Sequence, residues 1–225
     1  MPPRLDAIAA WVPDGAKLAD VGTDHALLPL WLLKKEKIRS AVATDINELP
    51  LRRAQANAEK AEEDRIRFVL CDGLAGVDPQ EADTVVIAGL GGENIADILR
   101  RSPWSCRDGI TLILQPMSRT EILCRSFFEL GLKLEREQLV EDTGRVYPIF
   151  QLSRGEMQPW KSGEYYTGLF SMLEGSPLLQ RFLSEQQRRL KSAVDGLTQS
   201  GRDPDRLNAL REALTDIEAE LRKAE

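Results

Sequence analysis

The residues best placed to do chemistry recur at the ends of short β-branched and apolar runs. They are Asp20-Val21-Gly22, Asp45, Asp72-Gly73, Ala88-Gly89-Leu90-Gly91-Gly92 and Gln115-Pro116. The first of these opens LADVGTDHA (18–26), with a carboxylate before a lone glycine and an Asp-His pair after it. A dinucleotide turn is built as G-x-G-x-x-G, because a pyrophosphate must rest on bare backbone at a helix start. Here Thr23, Asp24 and His25 fill that space, and Asp20 and Asp24 repel phosphate. A ligand with a positive centre, an amino-acid end and a ribose suits these residues better, and S-adenosylmethionine has all three.

On that reading Asp20 faces the methionine ammonium, as a charge-assisted contact or through water. Asp45 accepts both ribose hydroxyls, and Asp72 accepts a proton from the adenine amino group while Gly73 lets the backbone approach. Gly22, Thr23, Asn47, Ala88 and Gly89 complete the cofactor side. Plainer readings stand beside these: Asp45 as the N-cap of the helix that follows, and Asp72-Gly73 as an ordinary turn pair.

Those residues need a scaffold that brings strand ends together. Strand candidates lie at 16–22, 40–46, 66–73, 84–89 and 110–116, with helical patterns between them (LLPLWLLKKEK, LPLRRAQANAEKAEE, ENIADILRRS, RTEILCRSFFEL). Such alternation predicts a parallel sheet with crossover helices, and ligands sit beyond the carboxyl ends of its strands. Two further candidates, 132–142 and 145–153, flank Thr143-Gly144 and predict an antiparallel edge hairpin. The expected architecture is therefore α/β: a Rossmann-like, seven-stranded, mostly parallel sheet of the class I methyltransferase type.

After Gln158-Pro159-Trp160 the pattern changes. Leu179, Leu183, Leu190 and Leu197 mark one helical stripe, and Leu207, Leu210, Leu214, Ile217 and Leu221 another beyond SGRDPD, predicting an antiparallel helical hairpin. The segment 164–173 reads as one shorter helix packing its aromatics on the sheet. Expected domains are 1–155 for the cofactor and 156–225 for the hairpin.

Composition bounds the partners. The 225 residues, 42% hydrophobic, suffice for a sizeable core. No apolar run approaches the roughly 18 residues of a membrane span, and MPPRLDAIAAWVPDG lacks a signal-peptide layout, so a cytoplasmic protein without membrane contact is expected. Cys71, Cys106 and Cys124 are odd in number and lack a CxxC, which predicts reduced thiols and no metal site. A net charge of -6 argues against indiscriminate nucleic-acid coating but permits local basic patches. Two are visible: Arg181, Arg188, Arg189 and Lys191 within three turns of one helix, and Lys34, Lys35, Lys37 and Arg39 on the sheet region.

The stretches LADVGTDHALLPLWL, AVATDIN, DGL, VVIAGLGGENIADIL and LILQPM, followed by a helical tail, resemble the bacterial tRNA (adenine-22-N1)-methyltransferase family known as TrmK. The likeness covers nearly the whole chain, with the GTDHA and AGLGG turns its most specific elements; Leu90 stands where methionine is expected, a change of similar volume. The resemblance implies a coiled-coil-like C-terminal domain, S-adenosylmethionine as cofactor, tRNA as partner and N1 of an adenine as acceptor. Asp24 is then the candidate to stabilise the positive charge of the methylated base, with His25 orienting it or contacting the base. Gly91, Gly92, Gln115 and Pro116 would receive the base, and Arg188 and Arg189 the tRNA. The chain is expected to act as a monomer.

Adenine-N6 enzymes place an Asn-Pro-Pro-aromatic turn after the fourth strand, and its absence favours attack by a ring nitrogen. The competing readings are a methyltransferase for a small molecule or protein with the hairpin as a lid, and a nicotinamide oxidoreductase using Asp45 for ribose. A partner-binding module on an inactive sheet is a third.

Overall fold

The computed structural model describes residues 1–223. Seven strands form one sheet in the order β3-β2-β1-β4-β5-β7-β6, with β1 (Ala16–Val21), β2 (Ile38–Asp45), β3 (Ile66–Leu70), β4 (Thr84–Gly91), β5 (Thr111–Ser118), β6 (Leu132–Asp142) and β7 (Arg145–Arg154). Strands β1 to β5 pair in parallel, while β7 runs antiparallel to both β5 and β6. The order reverses between β1 and β4, so a crevice opens beyond their carboxyl ends.

Central strands are covered on both faces. Ala19, Val21, Val85, Ile87, Leu112 and Leu114 pack into one apolar layer. Their neighbours in sequence, Leu18, Val86 and Ile113, pack into the other, as the two-residue period of a strand requires. The hairpin between β6 and β7 turns at Thr143-Gly144 with φ of 49° and 77°, the left-handed pair of a type I′ turn.

Helices α2 (Leu27–Lys34), α3 (Glu48–Lys60), α4 (Gly92–Arg101) and α5 (Thr120–Glu129) are the crossovers that the pattern predicts. Helix α1 (Pro3–Trp11) lies outside that pattern; it starts with proline at its first turn and buries Ile8, Ala9 and Trp11. Its last carbonyls, Ala9 O and Ala10 O, accept from Lys37 Nζ at 3.0 and 3.2 Å. That contact gives Lys37 a structural role. Lys34, Lys35, Lys37 and Arg39 lie where α2 ends and β2 begins, at the opposite end of the sheet from the crevice.

The expected single helix over 164–173 is instead two short turns, α6 (Glu164–Thr167) and α7 (Phe170–Leu173). They break at Gly168, which has φ 92° and lies against the Glu137 carboxyl of β6, leaving no space for a Cβ. Leu169 N donates to Glu137 Oε2 at 2.9 Å, so a strand side chain caps the broken segment. Burial pushes the Glu137 carboxyl well above the usual carboxylate range. Helices α8 (Leu179–Ser200) and α9 (Pro204–Lys223) form the hairpin, whose core of Leu183, Leu190, Leu210 and Ile217 also takes in Leu139 and Val146 of β6 and β7. Phe127, Phe128, Trp160 and Tyr165 meet one another, and Phe127 meets Phe150, at centroid distances of 5.6 to 6.2 Å, partly edge to face, tying the connecting segment to α5. No described helix is long and apolar enough to cross a membrane.

Candidate active site

A cavity of about 750 Å³ lies at the reversal of strand order. Gly22, Asp45, Asn47, Asp72 and Gly73, five of the nine residues assigned to the cofactor from sequence, line it together. The turn after β1 is held open by Thr44 O, which accepts from Gly22 N at 2.8 Å and Thr23 N at 3.0 Å. Asp45 Oδ1 accepts from Asn47 N at 2.7 Å, and it is Asn47 that stands at the N-cap position of α3. The N-cap reading of Asp45 is therefore set aside: its carboxylate closes a local turn through Oδ1, and Oδ2 has no hydrogen-bond partner among the described residues.

The other four candidates sit differently. Asp20 is buried below the glycine and accepts from Thr23 Oγ1 at 2.7 Å. Thr23 is wholly buried and its hydroxyl is committed to Asp20, so it supports the turn and its side chain offers no ligand contact. Burial raises the Asp20 carboxyl from 3.8 to about 6, partly offset by the Thr23 hydrogen bond. Ala88 and Gly89 do not line the cavity; they lie at the end of β4 beside β5.

Asp72 carries a surprise, because Arg101 of α4 engages both its oxygens, with Nη2 to Oδ1 at 3.1 Å and a shorter contact from Nη1 to Oδ2. The guanidinium lowers the Asp72 pKa. Both oxygens of this carboxylate are thus already engaged by Arg101. Arg101 lies with Asn94, Asp97 and Ile98 on the cavity-facing side of α4. Sequence reasoning misses all four, although polar residues at 94, 97 and 101 keep the three-and-four spacing of one helix face.

On the other side of β4 the register slips. Ala88 pairs with Gln115 and Leu90 with Pro116, so Gly89 is an extra residue, a β-bulge with φ 79° that a side chain would strain. Its freed N–H donates to Gln115 Oε1 at 3.1 Å. Gln115 Oε1 also accepts from Arg4 Nη1 at 3.3 Å, and Gln115 Nε2 donates to Pro116 O at 2.8 Å. Gln115 is completely buried, which corrects its assignment as a direct substrate contact: both ends of its amide are used inside the protein. Gly92 is likewise buried, and a Cβ there would lie 2.4 Å from Arg119 O, so this glycine lets α4 pack against the turn before α5. Gly91 remains half-exposed at the N-cap of α4.

Asp24 and His25 project from the turn before α2 and line none of the cavity. Asp24 is 79% exposed, with Oδ1 3.3 Å from His25 Nε2. His25 and Ala26 hold consecutive left-handed conformations, φ 57° and 53°, a strained arrangement for residues with side chains. Asn57 Nδ2 of α3 pins it by donating to His25 O at 3.1 Å.

The hairpin reaches this same end of the sheet. A second cleft, about 390 Å³, is lined by Pro116, Met117, Arg145, Tyr147, Arg188 and Arg189 among others. Arg189 Nη2 lies 3.8 Å from Glu121 Oε2, an atom without a hydrogen-bond partner among the described residues, whereas Arg188 donates only to Ser184 O at 3.4 Å. Arg181 and Lys191 are tied to Glu141 and Glu218 at 2.9 and 3.0 Å. Of the expected basic cluster, Arg188 is the member without a carboxylate partner among the described residues.

Residues 1–150 match the family model described as "Methyltransferase domain". The chain is 32% identical over 154 residues to the tRNA (adenine(22)-N(1))-methyltransferase of Bacillus subtilis, a match spanning 68% of this chain and 65% of that enzyme. The crystal structure of Bacillus subtilis TrmK superposes with a TM-score of 0.85 at 26% identity, covering 99% of this chain and 97% of that one. Streptococcus pneumoniae Sp1610 in complex with S-adenosyl-L-methionine gives 0.79 at 30% identity, covering 94% and 98%. With a sheet, crevice and tail that superpose along nearly their full length, the chain belongs to the methyltransferase-domain family and, within it, to TrmK.

Proposed function

We propose that this protein transfers the methyl group of S-adenosylmethionine to N1 of adenine 22 in tRNA. The observation that carries the reading is the 750 Å³ cavity, lined by the carboxylates and turns that follow the strands, with Arg100 and Arg101 of α4 opposite, and without a glycine-rich phosphate cradle. Its fit to the cofactor is chemical: Asp45 presents a free carboxylate oxygen for ribose hydroxyls, and buried Asp20 offers a counter-charge for an ammonium. Leu90 and Ile98 give apolar walls, and Gly22, Asn47, Asp72 and Gly73 complete the lining. The B. subtilis relative and the Sp1610 complex support both substrate and cofactor.

When bound, S-adenosylmethionine supplies an electrophilic methyl on a sulfonium. Everything else falls to the protein. The N1 lone pair of adenine is free at neutral pH, so no metal and no strong base is required to begin the reaction; alignment supplies most of the rate. The Gly89 bulge and half-exposed Gly91 give the base a backbone surface, beside the buried Pro116. Asp24, oriented by His25, faces the charge that grows on the base. The chain works as a cytoplasmic monomer in two domains, 1–155 for the cofactor and 156–225 for tRNA, where Arg188 and Arg189 approach phosphates at the cleft beside Pro116. The test is mass spectrometry of nucleosides from unmodified tRNA incubated with protein and cofactor, which should yield 1-methyladenosine at position 22. Methylation that survives RNase treatment of the acceptor would overturn it.

A further inference from the structure

We infer that Arg4 is a positioning residue for the acceptor side of the site, acting through Gln115 on the Gly89 bulge; the inference rests on the methyl-transfer reading above. Helix α1 precedes every strand, yet its Arg4 side chain reaches the far ends of β5 and β6. Nη1 donates to Gln115 Oε1 on β5 at 3.3 Å, and Nε donates to Asp142 Oδ2 at the end of β6 at 2.9 Å. Gln115 Oε1 accepts at the same time from Gly89 N at 3.1 Å. Directly or through that amide, one guanidinium therefore joins α1, β4, β5 and β6 at the point where the acceptor base must lie.

The amide of Gln115 can stand only one way round. Its oxygen meets two donors, while Nε2 donates to Pro116 O at 2.8 Å and faces Met117 Sδ at 3.6 Å; a flip would oppose donor to donor on one side and acceptor to acceptor on the other. Arg4 thus supplies the second of the two donors that fix the amide, and the amide in turn holds the N–H that the bulge removes from the strand ladder. Asp142 is 7% exposed, so it neutralises the guanidinium beside a site where a cationic base forms.

Anchoring the helix does not call for this contact. Ile8, Ala9 and Trp11 bury the face of α1, Lys37 binds its C-terminal carbonyls, and the Arg136 guanidinium stacks 4.6 Å from the Trp11 ring. All of these lie in the second half of the helix, whereas Arg4 is in its first turn. Cofactor binding does not call for it either, because Arg4, Gln115 and Asp142 are absent from the lining of the large cavity.

Arg4→Lys separates positioning from folding. A single ammonium keeps the ion pair with Asp142 but cannot also present a planar fork to Gln115. In single-turnover methylation of unmodified tRNA, the lysine variant should keep the wild-type cofactor Kd and melting temperature and lose about tenfold or more in rate. In a Gln115→Met background the same lysine substitution should cost no further rate, since the route through the amide is already cut. A lysine variant as fast as wild type overturns the inference, as does a loss that multiplies with that of Gln115→Met, which would make Arg4 a direct contact. A drop in melting temperature and cofactor affinity that accounts for the rate loss also overturns it, because the role would then be structural. Wild-type protein inert on tRNA would bring down the methyl-transfer reading itself, an outcome visible before any variant is compared.

Discussion

The two halves of the crevice are built on different plans. The half proposed for the cofactor takes its residues from the turn directly after each strand, so Gly22, Asp45, Asn47, Asp72 and Gly73 arrive in the cavity by strand order alone. The half proposed for the acceptor is assembled from distant parts of the chain: Arg4 meets Gln115 across 111 residues and Asp142 across 138. A parallel sheet repeats one local solution for the first half. The second half has no repeat, because it forms where the parallel strands end, the edge hairpin begins and α1 returns across them.

If the cofactor half depends on single carboxylates, removing one should show at once. Asp45→Ala should weaken S-adenosylmethionine binding by about 2 to 3 kcal/mol, roughly 30- to 150-fold, since a charged acceptor of two hydroxyls is lost. Calorimetry would read it, and an unchanged affinity would remove Asp45 from the site. Asp24→Ala probes the other half: kcat should fall about tenfold with cofactor affinity intact, a modest figure because a carboxylate 79% exposed is screened by water. Cofactor binding that collapses in this variant would move Asp24 to the wrong side of the comparison.

A third experiment uses pH. The Asp20 carboxyl stands at about 6 against an ordinary 3.8, so the fold favours its protonated form. Between those values the folded state holds more protons than the unfolded, and this contribution to stability, full below 3.8, is lost as pH rises through 6. A ligand ammonium reverses the preference by favouring the carboxylate. Cofactor affinity should therefore rise about tenfold from about pH 5 to about pH 7 in the wild type, while Asp20→Asn stays flat over that range. Parallel curves for the two proteins would mean that the ammonium lies elsewhere.

How much of this is legible in the sequence follows from the same contrast. Strand ends announce themselves because a polar or glycine residue interrupts an apolar run, and that signal alone places Asp45 and Asp72 in the cavity. The partner of Asp72 escapes it, since Arg101 reads as one more basic residue on a helix until its spacing from Asn94 and Asp97 is set against the cavity. Gln115 stands out at a strand end, but its role does not, because nothing in LILQPM tells whether its amide points to solvent or into the protein. Arg4 leaves no trace at all, because long-range contacts define it. The break at Gly168 is hidden for a similar reason, its cause being the carboxyl of Glu137 on a strand distant in sequence.

The smallest effect tests the hairpin's place in the comparison. Arg188 and Arg189 look equivalent in sequence, but Arg189 faces Glu121, whose buried Oε2 has no hydrogen-bond partner among the described residues, and reversing its charge would set two carboxylates against each other. Such a variant could lose tRNA affinity simply by loosening α8 from α5. Arg188 is the cleaner probe: it is exposed, donates only to a carbonyl of its own helix, and lines the cleft beside Pro116. Arg188→Gln should leave the melting temperature and the cofactor Kd unchanged, raise the apparent tRNA Kd about threefold at moderate salt, and lower the slope of log Kd against log salt by about one. An unaltered slope would mean that Arg188 neutralises no phosphate. Phosphate contact at this cleft would then fall to Arg145 of β7 and Arg189, the other two cations that line it.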